Sequence, residues 1–242
     1  FLKTLNLKNI TSDNQYSIAS FDSYRIKAGI TLAADGKNSS IRDLKKTQQY
    51  KKNYNHSAFV ANFSHTKNHN SIAYEIFFKT GPLAILPMKS FSKKNYASSL
   101  IWSNNSEYTS SLMTLDNELR KKIIQEKISK YIGEIVEVFE TKSFNLSAHL
   151  NCKFYEDKLI YLGDAAHSMH PIAGQGWNLG VRDVKNMYEV FLQAKNIGLA
   201  VNSDFICTTY HNNSYKNAYS LYQVTDKLNS IFLNENKIVK NF

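Results

Sequence analysis

Cysteine is scarce. The 242 residues hold only Cys152 and Cys207, without CxxC spacing, which excludes a disulfide framework and fits a reducing compartment. The seven histidines lack zinc-type spacing. His167 and His170 stand three apart with no partner pair following, so no metal site is expected. No apolar run approaches the roughly 18–20 residues that span a bilayer. The opening Phe1-Leu2-Lys3-Thr4 has neither a secretory apolar stretch nor a cleavage site. It also lacks Met, as a fragment or a processed chain would. Arginine is rare: of 30 basic residues only Arg25, Arg42, Arg120 and Arg182 are arginine. Nucleic-acid readers cluster arginine for bidentate contacts, so the formal charge of +10 does not point to nucleic acid. Lysine and asparagine run through the whole chain, the pattern of drift in an AT-rich genome. Weak attraction to anionic lipid is the use left for the charge.

What is present supports a real core: 43% hydrophobic and 13% aromatic residues. Tyr24 to Ala34 reads as one strand ending at Asp35-Gly36, and Ser39–Arg42 starts a helix or turn. The polar, Lys-rich stretch 43–55 reads as a crossover. Four strand-like runs follow, Ser57–Phe63, Ser71–Phe78, Leu83–Met88 and Tyr96–Trp102, with breaks at Gly81-Pro82 and 89–95. They predict an antiparallel meander. Asp116 to Ile132 is an amphipathic helix with Leu119, Ile123, Ile124, Ile128, Tyr131 and Ile132 on its apolar face, capped by Asp116 and stopped by Gly133. Lys158–Leu162 is a strand running into Gly163-Asp164. A helix follows from about Gly176 to Ala194, with Val181, Val184, Tyr188 and Phe191 inward, and the tail after Asp204 is helical. An α/β domain interrupted by an antiparallel sheet is the architecture this order implies, with parts at 1–44, 45–154 and 155–242.

The stretch Gly163 to Val184, GDAAHSMHPIAGQGWNLGVRDV, carries the chemistry. An apolar strand ends at Gly163, where a ligand can approach the backbone. Asp164 then stands at the carboxyl end of the strand, where open α/β sheets bind ligands. A carboxylate there suits sugar or ribitol hydroxyls. Pro171 fixes the loop, and Gly174 and Gly176 let the chain turn into a helix whose N-terminal amides favour an anion. Gly174, Gly176 and Gly180 also spell GxGxxxG. They follow a Pro-containing loop rather than a strand, so they are not a dinucleotide fingerprint. A second carboxylate stands at a strand end in Asp35-Gly36-Lys37-Asn38-Ser39-Ser40-Ile41-Arg42, the form DGxxSxxR. Arg42 there suits a phosphate or a clamp.

The order DGxxSxxR, a long antiparallel segment, then GDAAHxxxPxxGQGxN resembles the para-hydroxybenzoate-hydroxylase-like flavoprotein monooxygenases. HPIAGQGWNLGVRDV, Tyr74-Glu75 before Thr80–Met88, Ser99–Trp102 and Leu115-Asp116 resemble the ubiquinone-biosynthesis hydroxylases in particular, over residues 20 to 235. The resemblance implies an FAD-binding, Rossmann-like domain lacking its N-terminal βαβ unit, interrupted by a largely antiparallel substrate domain with a helix. It implies FAD as cofactor and NAD(P)H as co-substrate. A prenylated phenol would be hydroxylated on its ring with O2, through a flavin C4a-hydroperoxide. Asp164, with Gly163, would bind the ribitol region, and Pro171, Gly174, Gln175, Gly176 and Asn178 would line the isoalloxazine. Asp35 and Gly36 would lie near the pyrophosphate and the nicotinamide approach, supported by Arg42. Phe59, Tyr74, Phe77, Leu86 and Trp102 are candidates for the substrate pocket, although alternation sends some of such residues to the core. His167 and His170 read as structural hydrogen-bonding residues, and no catalytic side chain is expected beside flavin chemistry.

A quinone-biosynthesis complex and a membrane surface are the expected partners, with a cytoplasmic location peripheral to the inner membrane. Trp177 stands where the family often has a smaller or phenyl side chain, and Asn145 where it often has Pro. The family opens with a strand and GxGxxG, and nothing here matches them; this chain alone is therefore expected to bind FAD weakly or not at all. Two other readings stay open: another flavoenzyme of the same fold (halogenase, epoxidase or prenyl reductase), or a truncated, non-catalytic accessory subunit.

Overall fold

The structure, a computed structural model, describes residues 6–90, 94–171 and 174–233. It divides into two compact units, Phe1–Lys52 with Ser147–Lys227, and Asn53–Leu146 with Leu228–Phe242.

The first unit opens with β1 (Asn9–Ser12), β2 (Ser17–Ser20) and β3 (Arg25–Ala28), a three-stranded antiparallel sheet. Asp13 makes the first turn by accepting from the amides of Gln15 and Tyr16. The expected single strand 24–34 is in fact two. Pairing with β2 ends at Ala28, the chain bends at Gly29, and β4 (Thr31–Ala33) joins a different sheet. There it runs parallel to β11 (Leu159–Tyr161), whose other neighbour is β10 (Tyr155–Glu156). Periodicity cannot register a change of sheet that leaves apolar content unbroken. All three residues of β11 are buried, as a central strand requires. Beside it Lys158 is buried too, its ammonium held by Asp204 Oδ1 at 2.5 Å and the carbonyl of Asn202 at 2.7 Å.

Three helices complete this unit: α1 (Ser40–Lys45), α4 (Gln175–Asn196) and α5 (Asp204–Leu233), the last through Lys227. The inner face of α4 differs from the sequence expectation. Leu179, Asp183, Met187, Val190 and Ala194 are buried, whereas Val181, Val184 and Tyr188 are exposed. The helix has two apolar stripes. The inward one carries a carboxylate, which apolar counting passes over.

The second unit is a sheet in the order β9-β5-β8-β7-β6, built from β5 (Gln49–His65), β6 (Tyr74–Phe78), β7 (Gly81–Met88), β8 (Tyr96–Asn105) and β9 (Ile135–Asn151). The polar stretch read as a crossover already belongs to β5 from Gln49 onward. Neither β9 nor α2 (Ser106–Thr114) stands out in the sequence, because the middle of β9 is exposed on both faces. Helix α3 (Asn117–Ile132) begins where Asp116 Oδ1 accepts from the amide of Leu119 at 2.9 Å, and it stops at Gly133. Its Ile124, Ile128 and Ile132 pack with Phe59, Ala61, Phe63, Leu83, Ile85, Leu100 and Trp102. Leu119 is exposed instead of buried. Arg120 takes the inward place and donates to the carbonyls of Leu112, Met113 and Leu115 at the end of α2.

Alternation divides the five expected pocket residues. Phe59 lies opposite Trp102, and Trp102 opposite Leu83, all on the helix-covered face. Phe59 and Trp102 are therefore core residues, and Tyr74 packs on the same core with its ring 4.8 Å from that of Tyr131. These three side chains turn toward the helix-covered core rather than the open face of the sheet. Phe77 and Leu86 point to the other face and are exposed. Register puts Val60, Ala84 and Ile101 in one row on that same face.

Candidate active site

The two segments singled out by the sequence meet within the first unit. Strand β11 delivers the chain to Gly163, whose φ is +55°, a left-handed value costly for any residue with a β-carbon. The short turn Gly163–Ala165 leaves Asp164 exposed while Ala165 and Ala166 are fully buried. Gly174 caps α4 at φ +59°, with no side chain on the free amides and no acidic residue in the first turn. The helix thus presents an uncompensated positive end.

Gly163, Asp164, Pro171, Gly174, Gly176 and Trp177 line an open groove of ≈ 580 Å³. A β-carbon at Gly163, Gly174 or Gly176 would meet nothing within 4 Å, so the missing side chains leave room for a ligand rather than for protein. Gly180 differs: its β-carbon would stand 3.7 Å from the Cα of Gly163, which is close packing of helix on turn. On the first turn of α4, Gln175 is half-buried and Asn178 exposed.

Asp35 follows β4, and its Oδ2 accepts from Ser40 Oγ and the amide of Ile41, both at 3.3 Å. The carboxylate thereby caps α1 together with Ser39, which accepts from the amide of Arg42. Gly36, at φ +87°, opens on free space. Lys37 reaches the carbonyl of Ser147 at 3.0 Å. Burial pulls its ammonium below the usual lysine range, and the nearby Asp164 opposes that shift.

Arg42 lies behind the groove. It is 5% exposed and donates through Nη2 to the carbonyl of Lys37 at 2.7 Å, and through Nη1 to Ala165 O at 3.3 Å and His149 Nε2 at 2.7 Å. Of the two roles the sequence leaves open for Arg42, this is the geometry of a clamp. His167 is buried against Asp183, Nε2 to Oδ2 at 2.7 Å, and the same oxygen accepts from the amide of Gly163 at 2.9 Å. His170 is also buried. His149 and Asp183 are the contributors that sequence reasoning missed. Asp183 is detectable in principle, as a lone carboxylate at a core position of α4. His149 carries no such signal. Among the described residues no cluster of three or more His, Cys, Asp or Glu could hold a metal.

A carboxylate at a strand end, three glycines opening on one groove and a bare helix N-terminus fit a ligand with a hydroxylated chain and an electron-rich planar ring. A flavin carries both, and it is the ligand that an FAD-binding α/β domain takes. The family of FAD binding domains matches residues 10–213, and the chain belongs to it; FAD is its cofactor. The chain is 29% identical over 214 residues to the ubiquinone hydroxylase UbiL of Rhodospirillum rubrum, covering 88% of this chain and 49% of that protein. It is 27% identical over 245 residues to the mitochondrial ubiquinone biosynthesis monooxygenase COQ6 of Xenopus tropicalis, covering 87% and 52%. The chain therefore spans about half the length of these relatives. In fold it is similar to PqsL of P. aeruginosa, solved with 2-aminobenzoylacetate, at TM-score 0.76 and 18% identity over 95% of this chain and 64% of that one.

Proposed function

We propose that the chain provides the ribityl-and-ring side of the FAD site, and the substrate sheet, of a monooxygenase. The enzyme would hydroxylate the aromatic ring of a prenylated phenol in ubiquinone biosynthesis, drawing on NAD(P)H and O2. The groove carrying Asp164 at the uncapped start of α4 is the observation that carries this reading. That UbiL is a ubiquinone hydroxylase and COQ6 a ubiquinone biosynthesis monooxygenase supports the substrate class.

FAD bound in this groove supplies the redox and oxygen-activating chemistry. The remaining tasks belong to the chain. Asp164 accepts hydrogen bonds from ribityl hydroxyls. Gly163, Gly174 and Gly176 let the backbone lie against the cofactor, with Pro171, Gln175 and Asn178 around it. The N-terminus of α4 favours negative charge on the ring edge nearest it. Asp35 and Gly36 stand at the neighbouring strand end for the pyrophosphate and the nicotinamide. In the second unit, Phe77 and Leu86 with Val60, Ala84 and Ile101 form a mostly apolar wall for an aromatic ring and its prenyl tail, with Glu75 at the outer end of the row, and keep water from the reaction. No side-chain nucleophile is required.

No helix among the described residues is long and apolar enough to cross a membrane. A membrane-borne substrate and a net charge of +10 favour peripheral docking on anionic lipid, where a quinone-biosynthesis complex would assemble. Asp164→Ala in the full-length protein is expected to weaken FAD binding by about tenfold or more, followed by flavin fluorescence. Unchanged FAD affinity in that variant would sink the assignment of Asp164. Failure of any prenylated phenol to stimulate NAD(P)H consumption would sink the substrate class.

A further inference from the structure

The turn that presents Asp164 is held by buried side chains from three elements. Asp183 on α4 takes the amide of Gly163. Arg42 on α1 and Asn151 on β9 both donate to the carbonyl of Ala165, at 3.3 and 3.2 Å. His149, also on β9 and 5% exposed, stands between them. Arginine can only donate, so the 2.7 Å contact with Arg42 Nη1 makes His149 Nε2 the acceptor. The ring proton then sits on Nδ1. The imidazole thus holds the same Nη1 that donates to Ala165 O, next to the residue that faces the groove. Arg42 Nη2 meanwhile holds the carbonyl of Lys37, in the loop after Asp35-Gly36.

None of these acceptors of Arg42 is a carboxylate. A guanidinium buried without a counter-ion is costly, so its retention needs a reason. Geometry supplies one: a single planar fork reaches both loops at once, and the imidazole fixes its orientation.

We propose that His149 is a positioning residue for the cofactor site. By accepting from Arg42, it fixes the guanidinium that ties the Gly163–Ala165 turn to the loop after Asp35-Gly36, so that both strand-end carboxylates stand in place before FAD arrives. The proposal deepens the flavin reading and rests on it for the ligand. The locking itself does not need flavin.

The test uses the full-length protein carrying His149→Leu, which keeps bulk without polarity, and His149→Gln, which keeps one acceptor and one donor. Two quantities are measured: amide hydrogen exchange over Gly163–Ala166 without flavin, and the FAD dissociation constant. His149→Leu is expected to lose protection over the turn by about tenfold relative to the rest of the unit, and to bind FAD about tenfold more weakly, with His149→Gln within about threefold of wild type on both. Adding His149→Leu to Arg42→Met is expected to change neither quantity further, because the two act through one contact.

Equal loss in the Leu and Gln variants, unchanged exchange over the turn in His149→Leu, or additive effects with Arg42→Met would each overturn the proposal. Should His149→Leu fail to fold, His149→Asn replaces it; too short to reach Arg42, it must show the same loosened turn or the proposal falls. If the wild type holds no FAD, the flavin reading fails, while the exchange data still decide whether His149 locks the turn.

Discussion

Gly81 adopts φ +138°, and a β-carbon there would collide with the main-chain oxygen of Ser103 on the neighbouring strand. Backbone cannot swing aside as a side chain can. Gly81→Ala is therefore expected to destabilise the second unit by about 2 kcal/mol or more, read as a lower urea midpoint at constant slope. A midpoint equal to wild type would show that the β6–β7 turn has room to spare. Arg120 is the other residue with a sharp consequence. Its guanidinium satisfies the carbonyls of Leu112, Met113 and Leu115 and also bonds Thr141 Oγ1. Those carbonyls end α2, where a cation also suits the dipole. Arg120→Ala strands them, at a cost of about 3 kcal/mol. Arg120→Lys, with a point charge instead of a fork, should recover only part of that in the same unfolding experiment.

At the scale of elements, α4 carries two faces with opposite fates. Trp177, Val181, Val184 and Tyr188 recur at helical spacing on the outside, and Trp177 is 78% exposed. Met187 lies on the inside at 4%. Replacing Val184 and Tyr188 together by Ser is expected to shift stability by less than about 0.5 kcal/mol, and to lower the binding of an apolar dye by shrinking the exposed patch. Met187→Ala should cost about 2–5 kcal/mol. A double Ser variant as unstable as Met187→Ala would reverse the assignment of faces. The buried carboxylate explains the choice. Asp183 is satisfied only where the Gly163 amide and His167 meet it, and an unsatisfied carboxylate in that position would outweigh several exposed apolar groups.

For the whole molecule, the histidines set the response to acid. Burial holds His56, His65 and His211 below the usual imidazole value of 6.5. His149 is pushed down to about 3, by burial first and then by the charges of Arg42, His167 and Lys37, against the pull of the Asp164 carbonyl. A group whose folded value is depressed takes up protons more readily when unfolded. The stability these histidines contribute is complete above the unfolded value. It is lost as the pH falls through 6.5, and for His149 the loss continues down to about 3. The melting temperature is therefore expected to drop between pH 7 and pH 5, before most carboxylates titrate. His149→Leu should show a shallower drop over that interval. A wild-type melting temperature that stays level to pH 5 would contradict the lowered values of these rings.

Local chemistry written into the sequence determined several features of this protein. Asp116 and Gly133 bound α3 because a cap and a stop act within a few residues. The Gly163–Asp164 and Asp35–Gly36 strand ends are legible for the same reason, as are the antiparallel runs from Ser57 to Trp102. Tertiary structure decided which face of each element turned inward. Phe59 and Trp102 are as apolar as Phe77 and Leu86, and only the helix layer over one side of the sheet separates core from open wall. The split of the strand at Gly29 follows from a change of partner, the adjacent β2 for one half and the distant β11 for the other. His149 is 107 residues from Arg42, so nothing near it in sequence announces the contact. Propensity and capping act over one or two turns, whereas burial and buried hydrogen bonds depend on residues that only the completed fold brings together.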